Sequence, residues 1–289
     1  MDATAGHSAR GVASSLVASA MFGAMFLVSG LLDVSAESMF GWRMLVTGAC
    51  FLIALLWAPG RAALADLVAL LRHRWWTPLV LLCTAALVGV QMWLFAWSPM
   101  HGHGLDASLG YLLLPIVLVL SGRFVFHERV TRMQWWAVAV AVVAVAIKIV
   151  FSATFSWVTV LVCLGYAAYF ALRKRFRLDT QAAFGGEVAI LCLPAVALIA
   201  WSRGAATFGE QGIVIAVGLG GAVAMTLYLA ASRLLTLAVF GLLSYVEPVL
   251  MFVAALLLGE RIATSDVVAY GLLAVALAIL AVGSISPRR

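Results

Sequence analysis

The sequence predicts an all-α integral membrane protein of ten transmembrane helices, built as two inverted five-helix repeats. Three observations predict it. The 289 residues are 65% hydrophobic and only 10% charged, with a mean hydropathy of +1.12. Soluble domains are typically about 45–50% apolar and about 25% charged, so lipid must be the solvent for most of this surface. The apolar residues fall in runs of bilayer length. And one motif occurs twice: Tyr111, Pro115 and Glu128-Arg129 in the first half, Tyr245, Pro248 and Glu260-Arg261 in the second.

A bilayer core about 30 Å thick needs roughly 20 apolar residues of helix. The runs that meet this are 11–30, 38–58, 76–97, 105–126, 133–150, 154–172, 182–201, 211–232, 237–258 and 265–283. No small-residue cleavage site stands out beyond the first run, so it reads as a helix and not as a leader. Ser15, Ser19 and Gly23 form a small-residue stripe along it, the mark of close helix packing. The longest connection, 59–75, carries Leu64, Leu67, Leu70 and Leu71 at helical spacing, which predicts an amphipathic turn or two on the membrane surface. Pro115 and Pro248 are expected mid-helix, as hinges or as fixed bends.

Orientation follows from the basic residues. One side collects Arg10, Arg61, Arg72, Arg74, Arg123, Arg129, Arg132, Arg173, Lys174, Arg175, Arg177, Arg233, Arg288 and Arg289; the other keeps Arg43, Lys148, Arg203 and Arg261. Both termini are therefore expected in the cytoplasm of a bacterial-type inner membrane. The net charge of +6 lies in short runs between apolar segments, which fits topology and not nucleic-acid binding. Cys50, Cys83, Cys163 and Cys192 sit inside apolar runs and read as core thiols.

The repeat runs beyond its opening pair. Phe40-Gly41-Trp42-Arg43 has a counterpart in Phe184-Gly185-Gly186-Glu187, and Trp93 one in Tyr228. The units are 11–150 and 154–283. Five spans per unit place the second copy upside down relative to the first, a common plan of transporters that bind their substrate where the halves meet.

These strings resemble the drug/metabolite transporter superfamily, and within it the EamA family. The carriers are Tyr245-Val246-Glu247-Pro248 followed by Gly259-Glu260-Arg261. The first half is similar to the RarD subgroup through Trp93 to Trp97, Ala107 to Tyr111, Glu128-Arg129 and Arg132 to Trp135. The chain lacks the family's Asn or His near Trp93 and Arg43, has His127 where Gly is usual before Glu128, and carries an EamA-like Glu247. The resemblance implies ten helices with cytoplasmic termini and the movement of small metabolites, often outward. YddG-like exporters of aromatic and other amino acids are similar, as are permeases linked to drug sensitivity or nucleotide-sugar exchange.

Arg43, Glu187 and Glu247 are the ionisable residues expected within spans. A charge at a helix centre costs about 2.5–3.5 kcal/mol on insertion scales, so each needs water, a partner or a short reach to the interface. Arg43 either snorkels or meets an anionic group. Glu187 or Glu247 meets an ammonium, or Glu247 braces a neighbouring helix. Phe22, Gln91, Trp93, Tyr111, Tyr166, Tyr169, Tyr228 and Tyr245 are the candidate walls and polar contacts of a mostly apolar pocket. Glu128-Arg129 and Glu260-Arg261 read as helix caps. His101 and His103 make a weak metal pattern, with only Asp106 near, so no metal or cofactor is expected. No catalytic or nucleotide-binding motif is present in a usable setting.

The expectation is a gradient-driven, monomeric carrier in the lipid bilayer that exports a small molecule, best an amino acid with an aromatic or hydrophobic side chain, by alternating access. A drug or nucleotide-sugar carrier is the alternative, with a membrane sensor or enzyme behind it.

Overall fold

The structure, a computed structural model, describes residues 2–151, 156–202, 208–235, 239–240, 243–262 and 264–285. Arg203, Arg288 and Arg289 of the charge count lie outside these, as does the side chain of Arg233. The described residues are helical apart from turns and short links. The helices are α1 (Asp2–Leu31), α2 (Ala36–Ala54), α3 (Ala58–His73), α4 (Thr77–Met100), α5 (Gly104–Val125) and α6 (Arg132–Phe151). They continue with α7 (Trp157–Arg175), α8 (Gln181–Trp201), α9 (Phe208–Leu234), α10 (Val246–Leu257) and α11 (Thr264–Ile285). Local chemistry sets several starts. Ser35 Oγ accepts from Ser38 N–H at the head of α2, and Thr180 Oγ1 from Ala183 N–H at the head of α8. Pro59 and Pro78 occupy first turns, where a missing N–H costs nothing.

Seven helices, α1 and α4 to α9, are long and apolar enough to cross a membrane, and an eighth counts if α2 and α3 form one bent span. The other segments of the sequence expectation differ for visible reasons. α3 leaves α2 at 107° and is a full helix, not a turn or two. α10 is short because the backbone turns at Ser244 and Tyr245 before it starts. The apolar stretch of α11, Asp266–Leu280, is also short. This makes the chain an all-helical, multi-pass membrane protein. Leu52, Val150 and Leu193 are 69%, 75% and 79% exposed, an arrangement that only lipid stabilises. Trp57, Trp75, Trp136, Trp157 and Trp201 are exposed near helix ends, where amphipathic rings meet headgroups.

The broadest packing joins the two halves of the chain. α1 lies against α9 and α10, α2 against α8 and α9, α4 against α7 and α8, α5 against α7 and α10, and α6 against α11. Within the first half α4 also packs on α1 and α2. Small residues set the closest approaches. Ser15 and Ser19 are fully buried, and a Cβ on Gly23 would stand 2.7 Å from Leu250 Cβ, so the stripe on α1 is a packing surface.

Gly110 is equally close to its neighbour and is hemmed by more atoms. A Cβ there would meet Val162 Cβ at 2.7 Å and the Thr159 carbonyl at 3.0 Å, both fixed on α7. Gly110→Ala is expected to destabilise the protein by about 1–3 kcal/mol, as overpacking does. Gly271→Ala, facing open space, is the matched control. Melting of both variants in detergent checks this; equal temperatures would refute it.

Pro115 lies inside α5 as expected. Pro248 does not lie mid-helix. It falls in the first turn of α10, after the break at Ser244–Tyr245, where no helical hydrogen bond is lost. The second copy of the motif is therefore a discontinuous helix, and its Glu247 sits at the start of α10.

Candidate substrate site

Arg43 enters the bundle from the second turn of α2, and its guanidinium lies 5.1 Å from the centre of the Phe95 ring of α4. α9 makes room for it: a Cβ on Gly221 would meet Arg43 Nε at 3.4 Å. Glu247 approaches from the first turn of α10, where the helix N-terminus carries partial positive charge and favours a carboxylate. The charges of Arg43 and Glu247 interact with each other and with Tyr111 and Tyr166; Tyr228 also feels Glu247. Neither charged group has an ion-pair partner among the described residues, and both are half-buried.

Three tyrosines surround this pair. Tyr111 of α5 donates to the Tyr166 hydroxyl of α7 at 3.3 Å, with ring centres 5.4 Å apart. Tyr228 of α9 shares a 2.9 Å hydrogen bond with Ser244 at the break before α10, and its ring meets Phe22 of α1 edge-on at 6.4 Å. Trp93 of α4 donates to Glu37 at 3.2 Å and stacks on Trp97 at 5.6 Å. Its neighbour Trp97 stacks on His101 and His103. The two histidines are engaged elsewhere too, His103 with Asp106 at 2.9 Å and His101 with the Trp97 carbonyl at 2.8 Å. No group of three or more metal-type ligands occurs among the described residues.

Of the sequence-based set, Glu187, Gln91 and Tyr245 stand apart from this cluster, and Tyr169 touches its edge, with its ring 6.4 Å from that of Tyr166. Glu187 is fully buried, and its Oε2 accepts from Arg173 Nη1 at 2.6 Å and from Tyr169 OH at 2.9 Å. Tyr169 is thereby committed to the same triad, which Arg173 extends by donating to the Thr180 carbonyl at 2.9 Å. Gln91 is buried between α4 and α7 and donates to the Leu161 carbonyl at 2.8 Å, against Gly165. Tyr245, the repeat partner of Tyr111, packs with α5, α6 and α11 residues instead.

Sequence reasoning missed Phe95, Glu37 and the role of Arg173. Arg173 was legible as one of several basic residues at a helix end, and only the antiparallel α7–α8 turn pairs it with Glu187. Lys148, counted on the sparsely charged side, is buried and bound to Asp266 at 2.8 Å. The cap reading of Glu260 holds: its carboxylate meets the N-terminus of α5.

A sequence model of the EamA-like transporter family matches residues 9–150. An uncharacterized transporter of Haemophilus influenzae is 36% identical over 88% of this chain and 87% of its own length. The chain belongs to the EamA family of transporters. An uncharacterized transporter of Pasteurella multocida is 34% identical over 88% of this chain and 89% of its own. The chloramphenicol-sensitive protein RarD of Pseudomonas aeruginosa is 41% identical over 63% of this chain and 64% of its own. A solved crystal structure shares the fold with a TM-score of 0.52 at 20% identity, over 96% of this chain and 99% of that one. The EamA chain is thus a membrane transporter and not an enzyme, and its partners are the bilayer and a small-molecule substrate.

Proposed function

We propose that this transporter moves a small amphipathic zwitterion, best an amino acid with an aromatic or aliphatic side chain, by alternating access. The observation that carries this is the pair Arg43 and Glu247, near enough for their charges to interact, without ion-pair partners among the described residues, and set among tyrosines. A carboxylate would satisfy the first, an ammonium the second, and the rings would cover the side chain. Pockets built this way combine apolar walls with a few placed polar groups.

The inverted-repeat reading draws support from the helix pairs. Take the ten spans as α1, α2, α4, α5, α6 and then α7, α8, α9, the segment ending in α10, and α11. Exchanging each with its counterpart turns α1–α10 into α5–α7, α1–α9 into α4–α7, and α2–α9 into α4–α8. The pairs α2–α8, α5–α10 and α6–α11 map onto themselves. On this reading 11–150 and 154–283 are the repeats, the basic side is cytoplasmic, and Pro115 and the break before Pro248 are the bending points.

The name of the Pseudomonas relative favours a second reading, a drug carrier. Counterflow in proteoliposomes separates the two. Preloaded phenylalanine or leucine is expected to drive saturable uptake, and N-acetyl and amide derivatives are expected to compete at least about tenfold more weakly, one charged hydrogen bond being lost. Equal competition by the derivatives, or by chloramphenicol alone, would overturn the zwitterion.

A further inference from the structure

α10 ends in a geometry that aims one side chain. Gly259 takes φ +93°, its N–H bonds to the Leu256 carbonyl, and the N–H of Glu260 returns to the Ala255 carbonyl at 3.1 Å. This closes the helix with a left-handed glycine and points Glu260 back across the bundle. Its two carboxylate oxygens accept from the first two amides of α5, Gly104 N–H at 2.6 Å and Leu105 N–H at 2.8 Å. A carboxylate at a helix start neutralises orphan donors and meets the positive end of the helix dipole.

The junction is tight. A Cβ on Gly104 would collide with Glu260, stand 2.9 Å from Ala255 Cβ and 3.3 Å from Phe26 of α1. Tyr270 of α11 donates to the Leu105 carbonyl at 3.1 Å, and Thr159 of α7 donates to the Asp106 carbonyl at 2.8 Å. Below it lies the buried cluster of Phe26, Leu94, Phe95, Ala107, Val158 and Met251, directly against Arg43 through Phe95.

The repeat-equivalent glutamate behaves otherwise. Glu128 also follows a left-handed residue, His127 at φ 56°, at the end of α5. It reaches no helix start among the described residues and holds Lys174, with both side chains about half exposed. Packing is unequal in the same sense. α4 lies against α1 and α2, but among the described residues α9 makes no comparable packing with α7 or α8.

We propose that Glu260 is a positioning residue for transport, a latch that holds the α5–α10 end of the central cavity shut and lets go when that end opens. The inference rests on the alternating-access reading but not on the identity of the substrate. Opening there separates the start of α5 from the end of α10, and among the described residues the Glu260 hydrogen bonds are the polar contacts between those two ends.

The test uses the full chain with Cys50, Cys83, Cys163 and Cys192 replaced and Ala107→Cys added, one turn below the latch. A membrane-impermeant maleimide is applied to proteoliposomes from each side. The introduced thiol is expected to react slowly in the parent. Glu260→Gln is expected to speed the reaction about tenfold or more from one side only, the equivalent of one charge-assisted hydrogen bond. Leu105→Pro removes the second donor and sets its ring carbon against Glu260 Oε2, at a first-turn position that tolerates proline, and is expected to act in the same direction. Glu128→Gln should leave the rate unchanged. Melting temperatures certify that each variant is folded. Unchanged labelling in folded Glu260→Gln and Leu105→Pro overturns the latch, as does failure of both to fold, which assigns the contact to stability. Faster labelling with no amino-acid transport keeps the latch and removes the substrate.

Discussion

Arg43→Ala and Glu247→Gln, made singly, are expected each to raise the zwitterion concentration for half-maximal counterflow by about 10- to 100-fold, because each deletes one charged hydrogen bond worth about 1.5–3 kcal/mol. The two losses should differ in kind. Arg43 is the cation that would hold a carboxylate, so Arg43→Ala should bring an amino acid and its amide to similar, weak competition. Glu247 would hold the ammonium, so Glu247→Gln should do the same for the amino acid and its N-acetyl form. Arg43 and Glu247 interact through space but form no direct ion pair, with each other or with another partner among the described residues, so losing one costs the other far less than breaking a contact pair would, and folding should survive. Competition curves measured with each variant decide the matter. If both variants weaken all competitors alike, the charges shape the cavity without reading the substrate.

Arg173→Met should be the most damaging single change to stability. Glu187 is fully buried, and Arg173 is its ion-pair partner. Removing one member of a buried pair leaves the other charge uncompensated and typically costs about 3–5 kcal/mol. That corresponds to a fall on the order of 10 °C in melting temperature. Replacing both, Arg173→Met with Glu187→Met, should recover most of the loss, since a buried pair and an apolar pair of similar volume differ little. Thermal melts of the two singles and the double close the cycle. A double variant no better than Arg173→Met alone would show that the triad with Tyr169 contributes more than charge balance.

Much of the architecture could be read from the chain because lipid imposes a simple rule: a spanning helix must be apolar for about 20 residues. The long helices α4 to α9 follow from it. The break at Ser244–Tyr245 could not be read, because both flanks are apolar and a proline four residues on suits a kinked helix as well as a new first turn. α3 was legible as amphipathic from its leucines, but its length and its angle to α2 depend on what it packs against, α8 and α4. The site divides the same way. Arg43, Tyr111, Tyr166 and Tyr228 stood out as polar groups in apolar runs, and the fold gathers them. Nothing in the chain distinguishes Glu187 from Glu247 as the carboxylate without a cation. That depends on Arg173 lying across a hairpin turn, a relation between two helix ends that composition does not carry. Gln91 is a related case: its amide donates to the Leu161 carbonyl, and a lone amide in a span satisfies a backbone carbonyl as readily as a solute.

The interleaving of the two halves bears on how the chain is made. α1 rests on α9 and α10, α5 on α7 and α10, and α6 on α11, so each early helix has its main partners late in the sequence. A ribosome delivering the protein from its beginning releases α1 to α6 into the bilayer before those partners exist. Arg43 enters lipid while Gly221, which shapes its niche, is still unmade, and Lys148 waits for Asp266. Biogenesis therefore includes an interval in which polar side chains stand without their neighbours, and it ends only when the last helix arrives.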